Sequence, residues 1–129
     1  MSQAVAEIRS LFEDWVDAVR RCDLDAAVAP HTSDVVMFDV PETVQIRGID
    51  AYRDCWRDFL PFIADGGVFE VSELSIHAGN DTAFSHCIVT CGSSRDDVFP
   101  VRLTMGYRKV DGRWMIAHEH HSVPASAEP

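Results

Sequence analysis

Basic residues are in short supply. Eleven Lys and Arg stand against 21 Asp and Glu, giving a formal charge of −10 and a pI near 4.8. That balance argues against nucleic acid and anionic membrane surfaces as partners, since both demand clustered positive charge. Long apolar runs are missing as well, and nothing approaches the ~20 residues a membrane span needs. Glu7, Arg9, Glu13 and Asp14 interrupt the N-terminal segment where a secretory signal would require an unbroken apolar stretch. The four cysteines, Cys22, Cys55, Cys87 and Cys91, form no Cys-x-x-Cys pair. Cys87 and Cys91 fall on one face of one strand, too far apart along it to bridge comfortably. They read as reduced, mostly buried side chains of a cytoplasmic protein. A phosphate-binding loop, a Gly-x-Ser-x-Gly elbow and a dinucleotide fingerprint are all lacking.

What is present is an ordinary globular composition, 47% apolar and 25% charged over 129 residues. This predicts one domain over residues 1–124 with a loose tail over 125–129. Val5, Ile8, Phe12, Trp15, Val19 and Cys22 recur at three- and four-residue spacing, so the chain opens with an amphipathic helix. Asp23 caps a short second helix, about Leu24 to Ala29, which ends before Pro30. Val35 to Val40 is a strand stopped by Pro41. Beyond Gly48, Asp50 can cap a third helix whose apolar face is Tyr52, Trp56, Phe59 and Ile63, and Pro61 predicts a kink or an early end. Four long strands follow, Val68–Ile76, Thr82–Cys91, Val98–Lys109 and Arg113–Ser122, divided by turn-forming clusters that include Gly92-Ser93-Ser94 and Val110-Asp111-Gly112. Helices first and an antiparallel meander second describe an α+β domain, with a cavity between the helices and the sheet.

Two features point to chemistry inside that cavity. Asp39 lies in Val35-Val36-Met37-Phe38-Asp39-Val40-Pro41, an otherwise apolar strand. A carboxylate deprived of water there would suit a general base, while at the strand end it could instead be solvated or held by the turn. The second feature is the run Trp114-Met115-Ile116-Ala117-His118-Glu119-His120-His121-Ser122, which holds half of the six histidines. Strand alternation places Trp114, Ile116, His118, His120 and Ser122 on one face. Imidazoles so placed suit proton transfer, anion binding or metal ligation. A three-residue hairpin loop with a bulge at Gly112 is the expected turn, because it gathers the polar groups, bringing Thr104 near His118 and Arg102 near His120. A two-residue Asp-Gly turn would instead set Glu119 and His121 beside Arg102. His31, after Pro30, reads as a helix-end cap, and Trp15, Tyr52 and Trp56 as core.

The fragments Cys22-Asp23-Leu24-Asp25-Ala26-Ala27, Ser33 to Pro41, Gly48-Ile49-Asp50-Ala51-Tyr52, and above all Tyr107 to Trp114 followed by His118 to Pro124, resemble the NTF2-like superfamily in its SnoaL-like and ketosteroid-isomerase-like branch. The resemblance covers about residues 4–124. It implies a cone-shaped α+β barrel, a homodimer and a small-molecule pocket in each subunit. Asp39 matches the position of the isomerase general base, and Trp15, His31 and Trp56 fall where those isomerases carry pocket tyrosines. Trp15 and Thr104 stand where the strong oxyanion donors belong, which argues against steroid isomerisation itself. The resemblance therefore implies cofactor-free, metal-free acid/base chemistry of isomerase, cyclase or dehydratase type on a carbonyl compound. Its catalytic residues would be Asp39, His118 and His120, and its binding residues Trp15, His31, Trp56, Arg102 and Thr104. The alternatives are a non-catalytic site for a small carboxylate, held by Arg102 and the histidine pair, and a dimeric association module.

Overall fold

Ser2 starts the first helix by accepting a hydrogen bond from the Val5 N–H on its Oγ (3.1 Å). The structure, a computed structural model, describes residues 2–40 and 43–125. Helix α1 (Gln3–Arg20) buries Ile8, Phe12, Trp15 and Val19, the stripe its spacing predicts. Cys22, with φ of +57°, turns the chain, and Asp23 caps α2 (Leu24–Val28) by accepting from the Ala26 N–H at 3.1 Å. Strand β1 (His31–Phe38) and the two-residue β2 (Ile46–Arg47) precede α3 (Ile49–Ala64). Gly48 rather than Asp50 occupies the cap of α3, with φ of +90°, which its missing Cβ permits. Pro61 does not end α3, which continues through Ala64. The hydrogen bond lost at Pro61 lies on the exposed side, three residues from the helix end, where water can take up the freed carbonyl.

Strands β3 (Val68–Ala78), β4 (Thr82–Ser94), β5 (Asp97–Val110) and β6 (Arg113–Ser122) form the expected antiparallel meander. Strand β1 pairs in parallel with β6, so the curved sheet runs β2-β1-β6-β5-β4-β3 and stays unclosed. The β4–β5 turn is Arg95-Asp96, not Gly92-Ser93-Ser94, which remains in the strand. Of the tail expected over 125–129, residues 126–129 lie outside the described residues, as does the strand-stopping Pro41. Among the described residues no helix is long and apolar enough to cross a membrane.

The β5–β6 hairpin determines which histidines face inward. Its turn is the two-residue pair Asp111-Gly112, flanked by Val110 opposite Arg113, with φ of +52° and +79°. This replaces the expected three-residue loop, because Asp-Gly tolerates two successive left-handed residues and its twist matches that of the strands. Pairing then runs to Tyr107 opposite Ile116 and resumes at Gly106 opposite His118, leaving Ala117 as a bulge. One extra residue reverses the parity of everything after it. Trp114 and Ile116 face the core, and so do Glu119 (0% exposed) and His121 (9%), while His120 is exposed. The expected face of Ile116, His118, His120 and Ser122 therefore does not form. Thr104 lies opposite His120, and Arg102 opposite Ser122, on the outer side of the sheet.

Candidate active site

A cavity of about 470 Å³ lies between α3 and the concave face of the sheet. Cys55, Trp56 and Phe59 wall it from α3, Phe69 from β3, Val89 and Cys91 from β4, and Val101 from β5. Val40, Phe99 and Pro100 line its exposed rim, and Val123 and Pro124 close the side beyond β6. In this apolar surrounding the ionisable groups are Asp39, His121 and the thiols of Cys55 and Cys91. Size and lining are those of a site for a small, mainly apolar molecule.

Asp39 follows directly on β1, half-buried. Its Oδ1 accepts from the Val40 N–H at 2.8 Å and its Oδ2 from the Cys55 thiol at 3.5 Å. Both readings of Asp39 thus meet in one residue, since the turn holds one oxygen while the carboxylate lines the cavity. Burial, with the Asp39 charge and hydrogen bond behind it, pushes the Cys55 thiol up to about 12, so this sulfur stays a protonated donor.

His121 faces the cavity from β6, and its ring is backed by a fully buried carboxylate. Its Nε2 lies 2.8 Å from Glu119 Oε1. Glu119 Oε2 takes a hydrogen bond from the Tyr52 hydroxyl at 2.6 Å and meets His31 Nε2 at 2.5 Å. Burial alone would raise the pKa of Glu119, but hydrogen bonds from His121 and His31, with their charges, hold it down to about 2. Burial likewise works to lower that of His121, yet the Glu119 hydrogen bond and charge, joined by the Asp39 charge, raise it on balance. Burial and the Glu119 charge keep the Tyr52 hydroxyl protonated. Among the described residues, no protein group bonds His121 Nδ1.

These shifts make stability depend on pH in two directions. Glu119, depressed from 4.5 to about 2, contributes above pH ~4.5 and loses its contribution as pH falls toward 2. His121, raised from 6.5, contributes below that pH and loses its contribution as pH climbs through the folded value. Urea midpoints measured across pH should peak between ~4.5 and ~6.5, and His121→Asn should flatten the alkaline side.

The sequence-predicted residues separate into three places. Asp39 and Trp56 line the cavity. Trp15 and His31 are buried behind it, Trp15 packed edge-on against Trp56 at 5.6 Å and His31 bonded to both the Val28 carbonyl and Glu119. His118, His120, Arg102 and Thr104 are turned to the outer face by the bulge and the hairpin register. There His118 donates Nδ1–H to the Val36 carbonyl at 2.7 Å, and both rings meet Phe38 edge-on, at 4.9 and 5.1 Å. Arg102 is spent on Ser122 Oγ and the Val123 carbonyl. Residue patterning missed Glu119, Tyr52 and His121 as site residues. The available signal was Gly106, since an isolated glycine within a strand pattern marks a bulge.

Comparison with known proteins agrees with this architecture. The profile of the SnoaL-like domain matches residues 8–126. An NTF2-like protein of unknown function from Pseudomonas putida KT2440 is 37% identical, with a TM-score of 0.91 over 99% of this chain and 92% of that one. A candidate dehydratase of the NTF2-like family from Streptomyces avermitilis shares the fold at 14% identity (TM-score 0.76, 95% of this chain and 97% of that one). A candidate ketosteroid isomerase from Parabacteroides distasonis does so at 22% (TM-score 0.73, 94% and 88%). No curated protein matches the sequence. The chain belongs to the SnoaL-like domain family, on the NTF2-like fold.

Proposed function

We propose that this protein is a cofactor-independent acid/base catalyst that enolises a small, apolar carbonyl compound, as an isomerase, cyclase or dehydratase. One observation carries the reading: Asp39 and a Glu119-backed His121 line the same, otherwise apolar cavity. The Asp39 carboxylate removes a proton from the carbon beside the carbonyl. The electron pair moves onto the carbonyl oxygen, which takes a proton from the His121 imidazolium. The enol then returns its O–H proton to His121 as the carbonyl reforms. Protonated Asp39 delivers its proton to a second carbon, giving isomerisation, or to a departing β-hydroxyl, giving water and an alkene. Both groups end as they began. Asp39 can serve as the base because its carboxylate lines a mostly apolar cavity, and His121 can serve because Glu119 fixes its ring and favours its charged form.

The carboxylate-binding alternative loses its anchor, since Arg102 is turned to the outer face and bonded there. Two copies associating through that outer face complete the reading. Phe84 is 48% exposed there and stacks with His77 at 4.9 Å, a surface suited to a second copy. Four free thiols suit a reducing, cytoplasmic setting.

The test is exchange of solvent deuterium into the α-carbons of 2-tetralone, followed by NMR. Catalysed exchange that is inhibited by 2-naphthol, its stable enol analogue, is the expected outcome. Binding of 2-naphthol in the cavity with no exchange from any member of a ketone panel would reduce the protein to a binding module.

A further inference from the structure

The buried group least explained by cavity chemistry is His31. Its side chain is wholly inaccessible, and it lies behind Glu119 on the side away from the cavity. Its Nδ1 is 3.1 Å from the Val28 carbonyl, at the end of α2. A carbonyl only accepts, so Nδ1 carries a proton. Its Nε2 is 2.5 Å from Glu119 Oε2, the same oxygen to which the Tyr52 hydroxyl donates at 2.6 Å. Glu119 is held down to about 2 by its hydrogen-bond partners, so Oε2 is a carboxylate oxygen that only accepts, and Nε2 is a donor too. Both ring nitrogens then hold protons.

We propose that His31 is a buried imidazolium, the fixed counter-charge of Glu119, and thereby a positioning residue that sets the protonation of His121. This rests on the reading of His121 as the acid of the cavity. With His31 positive, the negative charge of Glu119 is already matched. A proton on His121 is then balanced by Asp39 on the cavity wall rather than bound by an uncompensated carboxylate. His121 can therefore release its proton to a substrate oxygen and recover it. The other ionisable groups around this pair are neutral. Tyr52 packs its ring 4.1 Å from that of His31, Tyr107 from β5 is a buried, protonated phenol paired with Ser85, and Cys55 from α3 and Cys91 from β4 are protonated thiols in the cavity.

Two measurements on the full chain test this without substrate. Long-range proton–nitrogen correlation of labelled histidines at neutral pH should show both His31 nitrogens protonated. An unprotonated Nε2 would place the proton on Glu119 and overturn the proposal. His31→Gln keeps an N–H donor toward Glu119 but removes the charge. The His121 titration midpoint should then move alkaline by about one unit, a tenfold rise in proton affinity. Tyr52→Phe, which removes a hydrogen bond and no charge, should move it much less. An unmoved or acid-shifted midpoint in a folded His31→Gln protein would contradict the proposal, and if that variant fails to fold, the nitrogen spectrum of the wild type decides. Absence of ketone exchange, with both NMR results as expected, would remove the catalytic reading and leave the counter-charge standing.

Discussion

Asp39→Asn is expected to slow α-carbon exchange by about 10²- to 10⁴-fold while leaving 2-naphthol affinity within a few-fold of wild type. Asparagine keeps an oxygen that can accept from the Val40 N–H and the Cys55 thiol, so the local geometry should survive. What disappears is the only carboxylate among the described cavity-lining residues, and with it the proton acceptor. His121→Asn should lose less, about 10- to 100-fold, because polarising a carbonyl needs a donor and the asparagine N–H retains part of that role. The two losses should not multiply in the double variant, since base and acid act in one concerted step. If Asp39→Asn exchanges as fast as wild type, Asp39 is not the base.

Glu119→Ala should show the largest loss of stability of any single change in the site, about 3–5 kcal/mol by urea unfolding. The substitution leaves the His31 and His121 rings and the Tyr52 hydroxyl without their shared acceptor in a fully buried position. It also opens a cavity where nothing is positioned to fill it. Glu119→Gln, which keeps volume and an acceptor, should lose noticeably less. The comparison separates the charge from the packing, and a Glu119→Ala protein within 1 kcal/mol of wild type would mean the cluster is not a structural keystone.

Local pattern carried most of the fold. The stripe of Ile8, Phe12, Trp15 and Val19 packs as expected, and Tyr52, Trp56 and Ile63 form the buried face of α3. The place of Asp39 in the cavity wall was also legible, because a carboxylate at the end of an apolar strand stands out from its neighbours. The inward histidine was not. Alternation along β6 is a correct rule, but it holds only until a bulge, and Ala117 shifts His118 and His120 out and His121 in. The hairpin turn adds to this, since the three-residue loop that would gather the polar groups is not the one that forms. Glu119 was hidden for a different reason. A glutamate between two histidines reads as a solvated residue until β1 and α3 bring His31 and Tyr52 to it, across 88 and 67 positions of sequence.

The most direct measurement of the central claim is a crystal structure of the protein with 2-naphthol bound. The account predicts the rings among Trp56, Phe69 and Val101, with the hydroxyl within hydrogen-bond distance of His121 Nδ1 and a ring carbon beside the Asp39 carboxylate. Naphthol seated on the outer face beside His118 and His120, with the cavity empty, would contradict it.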